Sequence, residues 1–307
     1  MPNNHLMKHT DEPIPVELLR ESLPDFIKEL DASGTTRDVY RKAVSLFVSW
    51  SERMPLTAAT MRLYRDFLVN RKLIPNTIST YLSATNQFLS CLVEKGALAS
   101  NPAENLRRPK IPKHHLRDGL TKKEARKLLA SIPKNSLKGH RDYAMVNVML
   151  RTGVREIEIA RATISDIVVK EGKRVLLVHG KGKDGKDAFV ILTPKAYLPL
   201  QAYLKKIKPA GPSELLFAPM SCHMRSLTTR AIRKIVSSHL TAARLKSKRI
   251  TPHSLRHTAI TLAIQGGKGK NILKVQQMAR HADISTTLKY FHEYARMKNA
   301  AEFDIDI

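Results

Sequence analysis

Along residues 13–98 the apolar positions recur at the three- and four-residue spacing of helices. Leu18 to Leu30 forms one such stretch. A second follows Thr35-Thr36-Arg37-Asp38, a start resembling a capping box, and places Val39, Ala43, Phe47 and Trp50 on one face. Thr60 to Val69 supplies Met61, Leu63, Tyr64, Phe67 and Leu68. Asn76 is placed to cap a further helix that buries Ile78, Leu82, Leu89 and Leu92 before Gly96 stops it. The pattern predicts about four helices with short loops. Tyr40, Arg41, Lys42, Arg62, Arg65, Arg71 and Lys72 are left for outer faces, as a solvated surface or as phosphate contacts.

Residues 99–117 break this pattern. Three prolines interrupt helix there, and seven of the last thirteen positions are Arg, Lys or His. Such a segment reads as an extended basic linker, suited to lying along a phosphate backbone. Beyond it, Lys123–Ile132 and His140–Arg151 are again helical. Arg174–His179 and Asp187–Leu192 then flank the turn-rich Gly180-Lys181-Gly182-Lys183-Asp184-Gly185, the signature of a β-hairpin with a long glycine-rich tip. Past Pro194 helical periodicity returns almost to the end. The fold class expected is mainly α with a small antiparallel β-sheet, in two domains.

Length and charge sharpen this picture. The 307 residues are about twice an ordinary domain, and 42% hydrophobic content is that of a globular chain. The formal net charge is +26, distributed as +1 over residues 1–100 and +25 over residues 101–307. A compact chain this basic has a polyanion as its expected partner, met mostly by the C-terminal two-thirds. Two cysteines, Cys91 and Cys222, exclude a disulfide framework and a four-cysteine metal site. No apolar run reaches the length of a membrane-spanning helix, and the first twenty residues lack a signal-peptide core, so a cytoplasmic protein is expected.

The polar residues that stand out form a particular chemical set. Thr152-Gly153-Val154-Arg155-Glu156-Ile157-Glu158 starts a helix after a glycine turn, and Lys181 lies in the hairpin tip. His253-Ser254-Leu255-Arg256-His257 opens another helix, with His253 and Arg256 on one face, and His281 precedes Tyr290 by nine residues. Arginine forks match the non-bridging oxygens of a phosphodiester, lysine or histidine can protonate a departing alkoxide, and a tyrosine hydroxyl can become a covalent phosphoester. Carboxylate clusters for Mg²⁺ are missing from this set. His253 and His257 share the spacing of a zinc-protease helix, but Ser254 stands where that motif needs glutamate.

These residues, in this order, resemble the tyrosine recombinases, also called the phage-integrase family. The family's T-G-x-R-x-x-E pattern is matched by Thr152, Gly153, Arg155 and Glu158, its hairpin G-K-G by Gly180-Lys181-Gly182, and H-x-L-R-H by His253 to His257. The closing G-H-x-x-x-x-T-T-x-x-Y block is matched by His281, Thr286, Thr287 and Tyr290. Ala279-Arg280 departs from the Leu-Gly of most members. Arg280 is expected to alter the local backbone or add a phosphate contact without abolishing activity.

The resemblance implies a two-domain DNA clamp: a helical core-binding domain over 13–98, the 99–117 linker, and an α+β catalytic domain over 118–300. It implies site-specific cutting and rejoining of DNA through a 3′-phosphotyrosine, with no metal or other cofactor. Tyr290 would be the nucleophile, Arg155 and Arg256 the phosphate clamps, His281 a supporting donor, Lys181 the acid for the leaving oxygen and His253 the acid/base toward tyrosine. The partners implied are a double-stranded recombination site and three further copies of the chain, as a homotetramer on two duplexes, with accessory proteins left open and no membrane. A type IB topoisomerase-like relaxing enzyme and a non-catalytic DNA-binding regulator are the alternative readings. The acidic, apolar end at 301–307 is expected to dock in trans on a basic neighbour.

Overall fold

The computed structural model describes residues 16–110, 118–179, 185–186, 188–209, 211–221, 225–267, 269, 271–298 and 305. The chain divides into two compact units, residues 1–113 and 114–307. Lys181 lies outside the described residues, as do 111–117 of the basic segment and all of the C-terminal tail except Ile305.

The first unit is a bundle of α1 (Val16–Glu29), α2 (Gly34–Trp50), α3 (Ala58–Asn70) and α4 (Pro75–Glu94). Their apolar faces meet in one core, where Phe47, Tyr64, Phe88 and Leu89 lose all exposure. Two start signals differ from the sequence reading. The cap of α2 is Ser33, whose Oγ accepts from the Thr36 amide, so Thr35 and Thr36 already lie in the first turn. Asn76 does not cap α4: Pro75 opens that helix, its fixed φ suited to the first helical position and its missing N–H no loss there. Val39, expected on the buried face of α2, stands exposed.

In the second unit a Thr121–Glu124 capping box starts α5 (Lys122–Ala130), and Ser136 caps α6 (Leu137–Thr152). The short α7 (Glu156–Arg161) leads into a three-stranded antiparallel meander, β1 (Ile167–Lys170), β2 (Lys173–Val178) and β3 (Ala188–Ile191). β2 and β3 are the predicted hairpin. β1 is an addition, joined to β2 through Glu171-Gly172, both at positive φ as a tight hairpin turn demands. Then come α8 (Pro194–Ile207), α9 (Thr229–Ala242), α10 (Ser254–Gly266), α11 (Ile272–Ala279) and α12 (Ile284–Lys298). Among the described residues no helix is long and apolar enough to cross a membrane.

The centre of this unit is α6, buried on nearly every side and packed most extensively against α8 and α10. Its one fully buried carboxylate, Asp142, is tied down on several sides. Arg141 chelates one oxygen at 2.9 and 2.7 Å, while Lys138 (3.0 Å) and His239 of α9 (3.1 Å) meet the other. Burial opposes its ionisation, but the bonds from His239 and Arg141 outweigh that and hold its carboxyl below the usual range. Asp142→Asn would set an amide against these donors. It is expected to cost about 3–5 kcal/mol, the scale for breaking a buried ion pair. Urea denaturation followed by circular dichroism measures this, and a change below about 1 kcal/mol would show the network to be dispensable.

Candidate active site

Arg155, Arg256, His281 and Tyr290 come together where the ends of α6 and α11 meet the starts of α7, α10 and α12. The helix ends explain how. The last carbonyls of a helix have no partner within it and attract cations. α6 ends at Gly153, in the left-handed conformation at φ 65°, which turns its carbonyl out of the helix. α11 ends at Arg280, also left-handed at φ 54°. For a side chain other than glycine that conformation costs about 1–2 kcal/mol.

The freed carbonyls receive the arginines. Arg256, only 6% exposed, donates from Nη1 to Gly153 O and from Nη2 to Ala279 O. Arg155 donates from Nη2 to Arg280 O at 3.2 Å and from Nη1 to Glu158 Oε1 at 2.9 Å. Glu158 also accepts the Arg155 amide at 2.6 Å, closing the start of α7. Both forks therefore hang on backbone fixed by two left-handed turns. Burial, then the nearby Arg155 and Arg280 charges, lower the Arg256 guanidinium to about 10, so it keeps its charge at neutral pH.

Tyr290 lies on α12 over Ile260, Ile264, Val275 and Ala279 and is 8% exposed. Its hydroxyl is 3.0 Å from Nδ1 of His257 and within electrostatic reach of Arg256. The His281 ring lies nearly parallel to the tyrosine, at 6.4 Å between centroids, and its Nδ1 is 2.8 Å from the Thr287 hydroxyl. If Thr287 donates to Nδ1, the Nε2–H is left to donate outward.

His253 departs from expectation. At the first turn of α10 it does not share Arg256's environment: Arg256 is buried and His253 is exposed. Its ring packs edge-to-face with that of His257 at 5.2 Å between centroids, and the His257 ring lies 5.2 Å from that of Tyr290. Sequence reasoning placed His257 at the end of the H-x-L-R-H match and weighed it as half of a metal pair, but gave it no role at the tyrosine. Its place one helical turn after His253, on the helix that carries Arg256, was the available signal. Arg280, singled out in the sequence as a departure from Leu-Gly, turns its guanidinium to Glu158 Oε2 at 2.6 Å and Met278 O at 2.8 Å. The hairpin base is anchored separately, by Lys186 on the buried Asp166.

A sequence profile of the Phage integrase family matches residues 118–297, more than half of the chain and the whole of this site. The chain belongs to the phage integrase family. It is similar to tyrosine recombinase XerD of Listeria innocua serovar 6a, 26% identical over 286 residues that cover 90% of this chain and 94% of the relative. In fold it is similar to the XerH site-specific recombinase bound to palindromic difH substrate (TM-score 0.70, 20% identity, 95% of this chain and 85% of that one). It is likewise similar to the lambda integrase of a tetramer bound to a Holliday junction (TM-score 0.70, 14% identity, 92% and 81%). As a phage-integrase family member of the tyrosine recombinase kind, the chain is an enzyme of site-specific DNA recombination.

The cationic site sets the ionisation of its histidine. Burial first, then Arg256, Arg155 and Arg280, push His281 down to about 4 from the ordinary 6.5. The unfolded chain thus binds this proton more tightly than the folded one. The unfavourable contribution is absent above pH 6.5 and grows as pH falls toward 4, so acid destabilises the unit through this group. In the DNA-free protein the His281 ring nitrogens should report a neutral imidazole down to pH 5 in a ¹⁵N NMR titration. A midpoint near 6.5 would contradict the electrostatics described here.

Proposed function

We propose that Tyr290 attacks the scissile phosphate of a duplex recombination site, giving a 3′-phosphotyrosine and a free 5′-hydroxyl. The observation that carries this reading is the juxtaposition of two carbonyl-held arginine forks with a tyrosine hydroxyl already hydrogen-bonded to a histidine. Arg155 and Arg256 bind the non-bridging oxygens and stabilise the charge that grows on them in the pentacoordinate transition state. His281 adds a hydrogen bond from Nε2. The tyrosine proton passes to the histidine pair, His257 at the hydroxyl and His253 outside it at the surface. Lys181, from the hairpin tip, protonates the leaving 5′-oxygen. In the reverse step a 5′-hydroxyl attacks the phosphotyrosine, so the bond is conserved and no nucleotide is consumed.

The charge of +25 over residues 101–307 supports duplex DNA as the partner. The assembly we infer is a homotetramer on two duplexes in the cytoplasm. The tail supports this assembly by its chemistry. Residues 302–307 hold three acids and three apolar side chains. A groove of about 720 Å³ in the catalytic unit has exposed Lys122, Arg126, Arg151 and Lys195 around Leu129, Leu150 and Leu262. That groove suits the tail of a second copy. A topoisomerase-like enzyme would relax plasmids without exchanging strands between sites.

Four variants check the roles. Tyr290→Phe should bind DNA as wild type does yet form no covalent adduct with a nicked suicide duplex on a denaturing gel. Residual adduct would remove Tyr290 from the nucleophile position. Lys181→Ala and Arg256→Ala should each lose about 10²–10³ in cleavage rate. A 5′-bridging sulfur at the scissile position should rescue only Lys181→Ala, because a thiolate leaves without a proton. Equal rescue of both, or of neither, would mean the acid is misassigned. Deleting residues 302–307 should leave single-site binding intact and weaken cooperative synapsis in gel-shift titrations. Unchanged synapsis would show the tail to be idle.

A further inference from the structure

Arg280 carries the further inference, one that rests on the roles proposed for Arg155 and Arg256. It occupies a left-handed position that favours glycine, and its side chain is nonetheless turned inward and only 11% exposed. Nη2 meets Glu158, Nη1 meets Met278 O, and Nε finds no hydrogen-bond partner among the described residues. Nothing in the local chain calls for a guanidinium there. The contact that explains it is 122 residues away.

Glu158 is 2% exposed and, among the described residues and apart from Arg280, is bound by Arg155, through its amide and Nη1. A buried carboxylate with a single cationic partner holds that partner tightly, since releasing it would leave the charge unpaired. Arg155 is then a poor clamp for substrate. With Arg280 on Oε2, Arg155 can turn Nη1 from Glu158 to a phosphate oxygen while the carboxylate remains paired. The charge balance changes in the same sense. Arg155 and Arg256 against Glu158 leave a single positive charge at the site. Arg280 raises that to two, which suits a pentacoordinate phosphorane better than a ground-state diester.

We propose that Arg280 is a positioning residue for the recombination reaction, holding Glu158 so that Arg155 is free to engage the scissile phosphate.

The test is single-turnover cleavage of a nicked suicide duplex by the full chain, with affinity for the same duplex measured in parallel. Arg280→Met keeps bulk without charge, and Arg280→Gly removes the side chain from a backbone that glycine adopts freely. Each should cleave about 10–100-fold more slowly, the usual scale for a residue acting through a catalytic one, with affinity changed less than about threefold. Arg280→Lys should recover most of the rate. The decisive comparison is made in the Glu158→Gln background, where no carboxylate competes for Arg155. There Arg280→Met should cost less than about threefold relative to Glu158→Gln alone.

A merely structural role would leave the Arg280→Met penalty the same in both backgrounds, and that result overturns the proposal. So does wild-type cleavage by Arg280→Met or Arg280→Gly. Should Arg280→Met fail to fold, the glycine variant carries the same comparison. Failure here is separable from failure of the catalytic reading. A wild-type chain that cleaves, beside a silent Tyr290→Phe, keeps that reading whatever Arg280 does.

Discussion

The site depends on the capture of two guanidinium groups by the unsatisfied carbonyls at the ends of α6 and α11. Arg256 takes Gly153 O and Ala279 O, and Arg155 takes Arg280 O. Charged hydrogen bonds of this kind contribute about 1.5–3 kcal/mol each, and leaving such a donor buried without them costs more. The arginines are therefore held before any phosphate arrives, and the helix ends gain the partners they lack. One set of bonds serves the fold and the chemistry together. Because the carbonyls are aimed by two left-handed turns, the backbone conformation at positions 153 and 280 governs the direction of both forks.

This arrangement concentrates like charge. Arg155, Arg256 and Arg280 sit around a single buried carboxylate, and burial, reinforced by their field, keeps His281 neutral. Stability elsewhere must offset that repulsion. The apolar packing of α6 against α8 and α10 and the neutralised Asp142 supply it. Tyr290 is docked on the small cluster of Ile260, Ile264 and Val275, separate from the main core of the unit. The nucleophile and the carbonyls of Ala279 and Arg280 that hold the clamps thus share this smaller cluster and its α11 edge.

Much of this was legible in the sequence. Helical periodicity located the four-helix unit, and the glycine-rich run between two apolar stretches located β2 and β3. The Gly153 turn was readable because only glycine takes φ 65° without strain. β1 escaped notice since it is four residues long and its turn uses Glu171 where asparagine or aspartate would announce φ > 0. Starts of α2 and α4 were displaced by a residue or two because serine and proline competed with the polar residues just inside the helix. The Arg280–Glu158 bond and the His257–Tyr290 bond join residues 122 and 33 positions apart. Side-chain partners at that separation are set by packing and leave no local pattern to read.

The central claim is that backbone direction at the end of α6 holds the phosphate clamp. Gly153→Ala tests it most directly, because the added methyl meets no atom closer than 3.4 Å and disturbs little except the left-handed φ. The variant should lose about 1–2 kcal/mol of stability and still bind duplex DNA. Its single-turnover cleavage rate should fall by about tenfold or more as Gly153 O turns away from Arg256. A folded Gly153→Ala protein that cleaves at the wild-type rate would contradict the account.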